Sequence, residues 1–145
     1  MTCLLSCKAQ KEGAASVGEE IEDLVLVDHD NFINIDSFET RVIRDIKSLR
    51  KFYSQINQTR KPGLPVPTVD FSQHILVLLC LGEQRGEKIP VLSKLKETDQ
   101  GMTIALEVLE KEKNGESTVQ PIYFPFYLYK LPLVDKTITF QRVDQ

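Results

Sequence analysis

The distribution of apolar and polar positions divides the chain into short β-type segments and one helix. Ile75 to Leu81 is apolar without interruption, the pattern of a central strand covered on both faces. Gly101 to Glu110 alternates Met102, Ile104, Leu106 and Val108 with Thr103, Ala105 and Glu107, which predicts a half-buried strand. Shorter strands are expected at Leu24–Val27, Phe32–Ile35, Thr40–Ile46, Val91–Leu95 and Thr137–Val143. Leu49, Phe52, Tyr53 and Ile56 recur at helical spacing behind Ser48, so an amphipathic helix is expected at about residues 49–58 with Ser48 as its cap. Three prolines and a glycine between Lys61 and Pro67 end that helix and impose an extended loop. Gly82 to Glu87 reads as a turn. Asn114-Gly115 has the sequence of a tight hairpin turn, which would pair Gly101–Glu110 with Ile122–Leu131. Pro125 lies inside that second run and cannot donate to a ladder, so the run is expected at a sheet edge or bulged. The pattern as a whole predicts an α+β fold: a mainly antiparallel sheet of five to seven strands carrying one helix, formed by residues 21–145 as a single domain.

Composition changes this picture mainly at the N-terminus. With 41% hydrophobic residues in 145, the chain has material for a core without metal or disulfide. Residues 8–20 differ: they are rich in Gly, Ala, Ser, Glu and Lys, with Val17 as the one large aliphatic, and read as a flexible tether. In front of them stands Leu4-Leu5-Ser6-Cys7, which has the form of a bacterial lipoprotein processing site: a small residue precedes a thiol that can take a diacylglycerol. Cys7 is therefore the expected lipidation site, and the bacterial cell envelope the expected location. A complete secretory signal carries a longer apolar stretch, so this reading requires a start upstream of Met1. The alternative is an N-terminal tail with idle Cys3 and Cys7. The net charge of −3 argues against nucleic acid, whose binding depends on clustered cations.

Candidate chemistry is sparse. Asp28-His29-Asp30 is the densest polar cluster, and a small metal-binding or hydrolytic protein using it is the rival functional class. Only two histidines exist, His29 and His74, and neither has a second ligand at helical spacing. Cys80 lies in the most apolar run and reads as a small buried hydrophobe. No nucleophile elbow, phosphate loop or dinucleotide fingerprint occurs. These features lead to the expectation of a non-enzymatic protein with no cofactor. Arg50, Lys51, Arg60 and Lys61 form a stretch without acids that could meet an acidic partner, and Tyr123, Tyr127 and Tyr129 share one face of an expected strand, as interface aromatics do.

The order Pro67-x-Val69-Asp70-Phe71, apolar strand, Gly82-Glu83, alternating strand, Gln120-Pro121-Ile122-Tyr123 and Lys130-Leu131-Pro132 resembles the C-terminal domain of the PrcB family of protease-complex lipoprotein subunits. The resemblance covers about residues 48–143. It implies a secreted, lipid-anchored, non-enzymatic domain that binds or stabilises a protein partner, with a protease as one candidate. The chain departs from the family at Gln84–Pro90, where a Thr-Gly-Gly-Tyr-like segment usually follows the Gly-Glu turn. The loop from Gly82 to Pro90 is nonetheless the preferred contact surface, with Gly82, Glu83, Arg85 and Lys88 as its residues. Tyr127 and Tyr129 form the second candidate surface.

Overall fold

The computed structural model describes residues 17–111 and 120–143. Cys3, Cys7, most of the expected tether and the Asn114-Gly115 turn lie outside the described residues. The described chain is α+β and mostly strand: β1 (Val25–Asp30), β2 (Glu39–Ile43), α1 (Ile46–Ile56), β3 (His74–Cys80), β4 (Gln84–Arg85), β5 (Lys88–Glu97), β6 (Gly101–Glu110), β7 (Ile122–Tyr123), β8 (Phe126–Pro132) and β9 (Thr137–Val143). Seven of these strands are five residues or longer; β4 and β7 have two each.

The strands form three sheets, in the orders β1-β8-β3-β2, β4-β7 and β5-β6-β9. The described residues group into two compact units, one of 17–21, 89–109 and 136–143, the other of 22–88, 110–111 and 120–135.

In the larger unit, β3 pairs antiparallel with β2 on one side and with β8 on the other. Every residue from Ile75 to Cys80 is fully buried, as the uniform apolar run requires. Leu76, Leu78 and Cys80 point to one face and pack with Leu49, Phe52, Tyr53 and Ile56 of α1 and with Phe126 and Leu128 of β8. The Phe52 ring meets the Phe126 and Tyr53 rings edge-on, each at a centroid distance of 5.3 Å. Asn57 then clamps the proline-rich loop, accepting from Leu64 N–H at 2.8 Å and donating to Leu64 O at 2.9 Å.

Several local expectations are corrected. The helix begins earlier than the apolar spacing indicates, because Asp45, not Ser48, caps it: Asp45 Oδ1 accepts the Ser48 N–H at 2.8 Å. Ser48 is the residue whose amide is capped. Phe32–Ile35 is not a strand; Ile33 and Ile35 point into the core from an irregular segment that forms an isolated bridge at Phe32–Phe124. Ile122–Leu131 does not pair with β6. Pro125 splits the run into β7 and β8, and its carbonyl accepts the Leu81 N–H at 3.1 Å. β8 is consequently an interior strand between β1 and β3, not an edge. β6 instead lies between β5 and β9, and β9 runs parallel to it from Gly101↔Thr137 to Glu107↔Val143. Residues 17–20, assigned to the tether, include an antiparallel bridge from Glu19 to Lys94.

Two outcomes follow for stability. Phe52→Ala should lower the unfolding free energy by about 3–5 kcal/mol, read from chemical denaturation, because it empties the space between helix and sheet. Hydrogen bonding from the Ser48 amide holds the Asp45 carboxyl below its ordinary value of 3.8. Its capping contribution is therefore complete above that value and fades as the pH falls below it. Asp45→Ala should unfold at lower denaturant than the parent chain at neutral pH, with the gap closing in acid.

Candidate partner-binding surface

The loop after β3 is fixed at its root. Gly82 is buried with φ +74°, and a Cβ there would lie 3.1 Å from Phe38 N and Ser37 C, so any other residue is strained where the strand leaves in this direction. Gln84 Nε2 donates back to Leu81 O at 3.0 Å. Gln84 and Arg85 then pair with Tyr123 and Ile122, and the Gly86 N–H donates to Pro121 O at 2.9 Å. The expected turn is thus a short ribbon.

Lys88 secures its far end, donating from Nζ to Arg85 O at 2.9 Å and to Glu110 Oε2 at 3.2 Å. The Lys111 ammonium lies 3.4 Å from Glu87 Oε1. Within this frame Glu83 and Arg85 remain exposed. Gly82 and Lys88 serve to hold the loop, while Glu83 and Arg85 are what it presents.

Tyr127 is buried, and its hydroxyl donates to Lys88 O at 2.8 Å. Its ring stacks on His29 at a centroid distance of 4.3 Å. Burial pushes both the Tyr127 and Tyr129 hydroxyls up to about 12. Tyr127 therefore ties the end of the loop to β8, and Tyr129 is half-buried beside β1 and β3. Of the three tyrosines, Tyr123 is the one that belongs to the ribbon.

The sequence reading missed Phe32. It is 59% exposed, the most of any large hydrophobic residue among those described, and its ring lies 5.3 Å from that of Tyr123. Its backbone is held at both ends: the Phe32 N–H donates to Asp30 Oδ2 at 3.0 Å, and Phe32 O accepts from Arg60 Nη1 at 2.9 Å. Arg60 also pairs with Asp30 Oδ2 at 3.3 Å. Tyr123 in turn lines a shallow cleft of about 170 Å³ with Gly86, Glu87, Glu110, Lys111, Gln120 and Pro121. The available signal was an aromatic directly after Asp30-Asn31, where strand alternation had already stopped.

The residues of the rival reading are each engaged elsewhere. Asp28 Oδ2 accepts the Tyr53 hydroxyl, whose pKa burial and this carboxylate raise. His29 Nδ1 lies 2.9 Å from Phe126 O, and Asp30 holds Arg60 and the Phe32 amide. Among the described residues no group of three or more His, Cys, Asp and Glu side chains is placed to hold a metal ion. Burial pushes the Cys80 thiol up to about 12, so it is protonated at neutral pH. From the former basic stretch, Arg60 is spent on Asp30 and Phe32, whereas Arg50, Lys51 and Lys61 are exposed.

The loop's division of labour is testable by denaturation. Gly82→Ala should cost about 1–3 kcal/mol from the left-handed backbone alone. Arg85→Ala, by contrast, should stay within about 0.5 kcal/mol of the parent chain. Compared with known proteins, the chain matches no protein-family model, no curated protein and no solved structure.

Proposed function

We propose that this chain is a non-catalytic, lipid-anchored protein of the bacterial envelope that binds or stabilises a protein partner, and that the partner docks on Glu83, Arg85, Phe32 and Tyr123. The observation that carries the binding role is the exposed Phe32 ring, held against Tyr123 by backbone contacts from Asp30 and Arg60. A large aromatic with a fixed backbone loses little freedom on docking, and aromatic and arginine side chains supply most of the energy at protein interfaces. Arg85 on the adjoining ribbon adds such a residue. The anchor is supported by the Leu4-Leu5-Ser6-Cys7 pattern, and a protease as candidate partner by the resemblance to PrcB-type subunits.

Affinity capture from native envelope extract tests the binding role. The intact chain should retain a specific partner, and Phe32→Ala or Arg85→Ala should weaken its retention about tenfold at unchanged thermal stability. Full retention by the double variant would reject this surface, and no specific partner at all would reject the role. The anchor is tested separately. Expressed from an upstream start, Cys7→Ala should move from the membrane to the soluble fraction; unchanged fractionation rejects lipidation at Cys7.

A further inference from the structure

The outward side of α1 carries cations and no acid. Lys47, Arg50 and Lys51 are spaced three and four apart, so they share one face, opposite the buried Leu49, Phe52, Tyr53 and Ile56. All three are exposed, and none forms an ion pair among the described residues. The acid nearest in sequence, Asp45, is bonded to the Ser48 N–H at 2.8 Å. Charge is segregated over a longer stretch too. Residues 46–69 hold Lys47, Arg50, Lys51, Arg60 and Lys61 without an acid, which leaves thirteen of the 18 cations elsewhere with all 21 acids.

This placement works against the helix. Aligned peptide dipoles favour acids in the first turn and cations in the last. The first turn of α1 has no acid and its last turn no cation. Its three cations stand instead toward its start, and at spacings of three and four they repel one another. Helix stability therefore does not account for them, whereas an anionic surface in front of this face gains from all three together. The buried apolar side chains of α1 are committed to the core, so such a contact is made through charge.

We propose that the Lys47–Arg50–Lys51 face of α1 lies against anionic phospholipid headgroups and sets which side of the anchored chain faces the bilayer. This orientation presupposes the lipid anchor at Cys7. From Cys7 to Val17 the chain can span at most about 35 Å, so an acylated Cys7 keeps the first described residue within that distance of the headgroups. Near an anionic membrane the surface potential attracts Lys and Arg and repels carboxylates. The acid-rich remainder is thus pushed away and this face drawn in. Three cations are too few to retain an unanchored chain at physiological salt, where the potential decays within about 8 Å. The anchor retains the chain; the helix orients it.

Binding of the full, unacylated chain to vesicles tests the face independently of the anchor. At about 20 mM salt the chain should sediment with vesicles of phosphatidylglycerol and phosphatidylcholine, stay in solution with phosphatidylcholine alone, and be released at about 0.5 M salt. The triple variant Lys47→Ala, Arg50→Ala, Lys51→Ala should bind the anionic vesicles at least about tenfold more weakly with no loss of thermal stability. Lys47→Arg, Arg50→Lys, Lys51→Arg, which keeps every charge, should bind like the parent chain, as should Lys96→Ala, which removes an exposed cation elsewhere. Equal sedimentation of the triple alanine variant, or no sedimentation of the parent chain with anionic vesicles, would overturn the proposal. Retention of the parent chain on immobilised poly-glutamate without vesicle binding would also overturn it and assign the face to an acidic protein. A Cys7→Ala chain that stays with the membrane fraction rejects the anchor and leaves this vesicle readout unaltered.

Discussion

β3 is paired along both edges and buried on both faces, and much of the larger unit is arranged to satisfy that condition. A strand that exposes neither backbone nor side chains to water needs a neighbour on each side and cover above and below. β2 and β8 supply the neighbours. On the face carrying Leu76, Leu78 and Cys80 the cover is α1, pinned by its aromatic pair against Phe126. The end of β3 must then leave the sheet abruptly, and buried Gly82 provides the one backbone conformation that does so beside Ser37 and Phe38.

What could be read from the chain was whatever depends on local periodicity. The uninterrupted run at β3, the alternation of β6, the segment that became β9 and the apolar stripe of α1 each carry their own signal, because side-chain period and burial are tied within one element. Pairing between distant elements carries no such signal. Asn114-Gly115 favours joining its flanking segments locally, yet β6 lies against β9 and β8 lies between β1 and β3. Pro125 was a sound indicator of a break. It was misleading about the edge, since the break falls between β7 and β8 and leaves Phe126 to Leu131 free to pair on both sides. The helix cap was misplaced because Ser48 is a good capping residue by type, whereas Asp45, also good, stands where the chain turns extended before the helix.

The candidate surface was legible in part for the same reason. A polar loop leaving a buried strand could be found from sequence, and Glu83 and Arg85 are exposed there. The separation of those residues from Lys88, which bonds inward, needed three-dimensional contacts with Arg85 O and Glu110. Tyr127 and Tyr129 shared a face by alternation, but their burial depends on what packs over that face, which periodicity does not encode. Phe32 opened a segment read as a strand, whereas the bonds that hold its backbone come from Asp30 and from Arg60, further along the chain.

The parallel pair β6–β9 has a consequence for inheritance. A parallel pair requires a long return path, and here that path contributes β7 and β8 to the other compact unit. The polypeptide passes between the two units four times, at 21/22, 88/89, 109/110 and 135/136. A frameshift or stop codon within residues 89–125 therefore strips strands from both units together, and no single crossover point in the coding sequence can exchange one and spare the other. Exchanging one unit alone takes a crossover at each of the four passages.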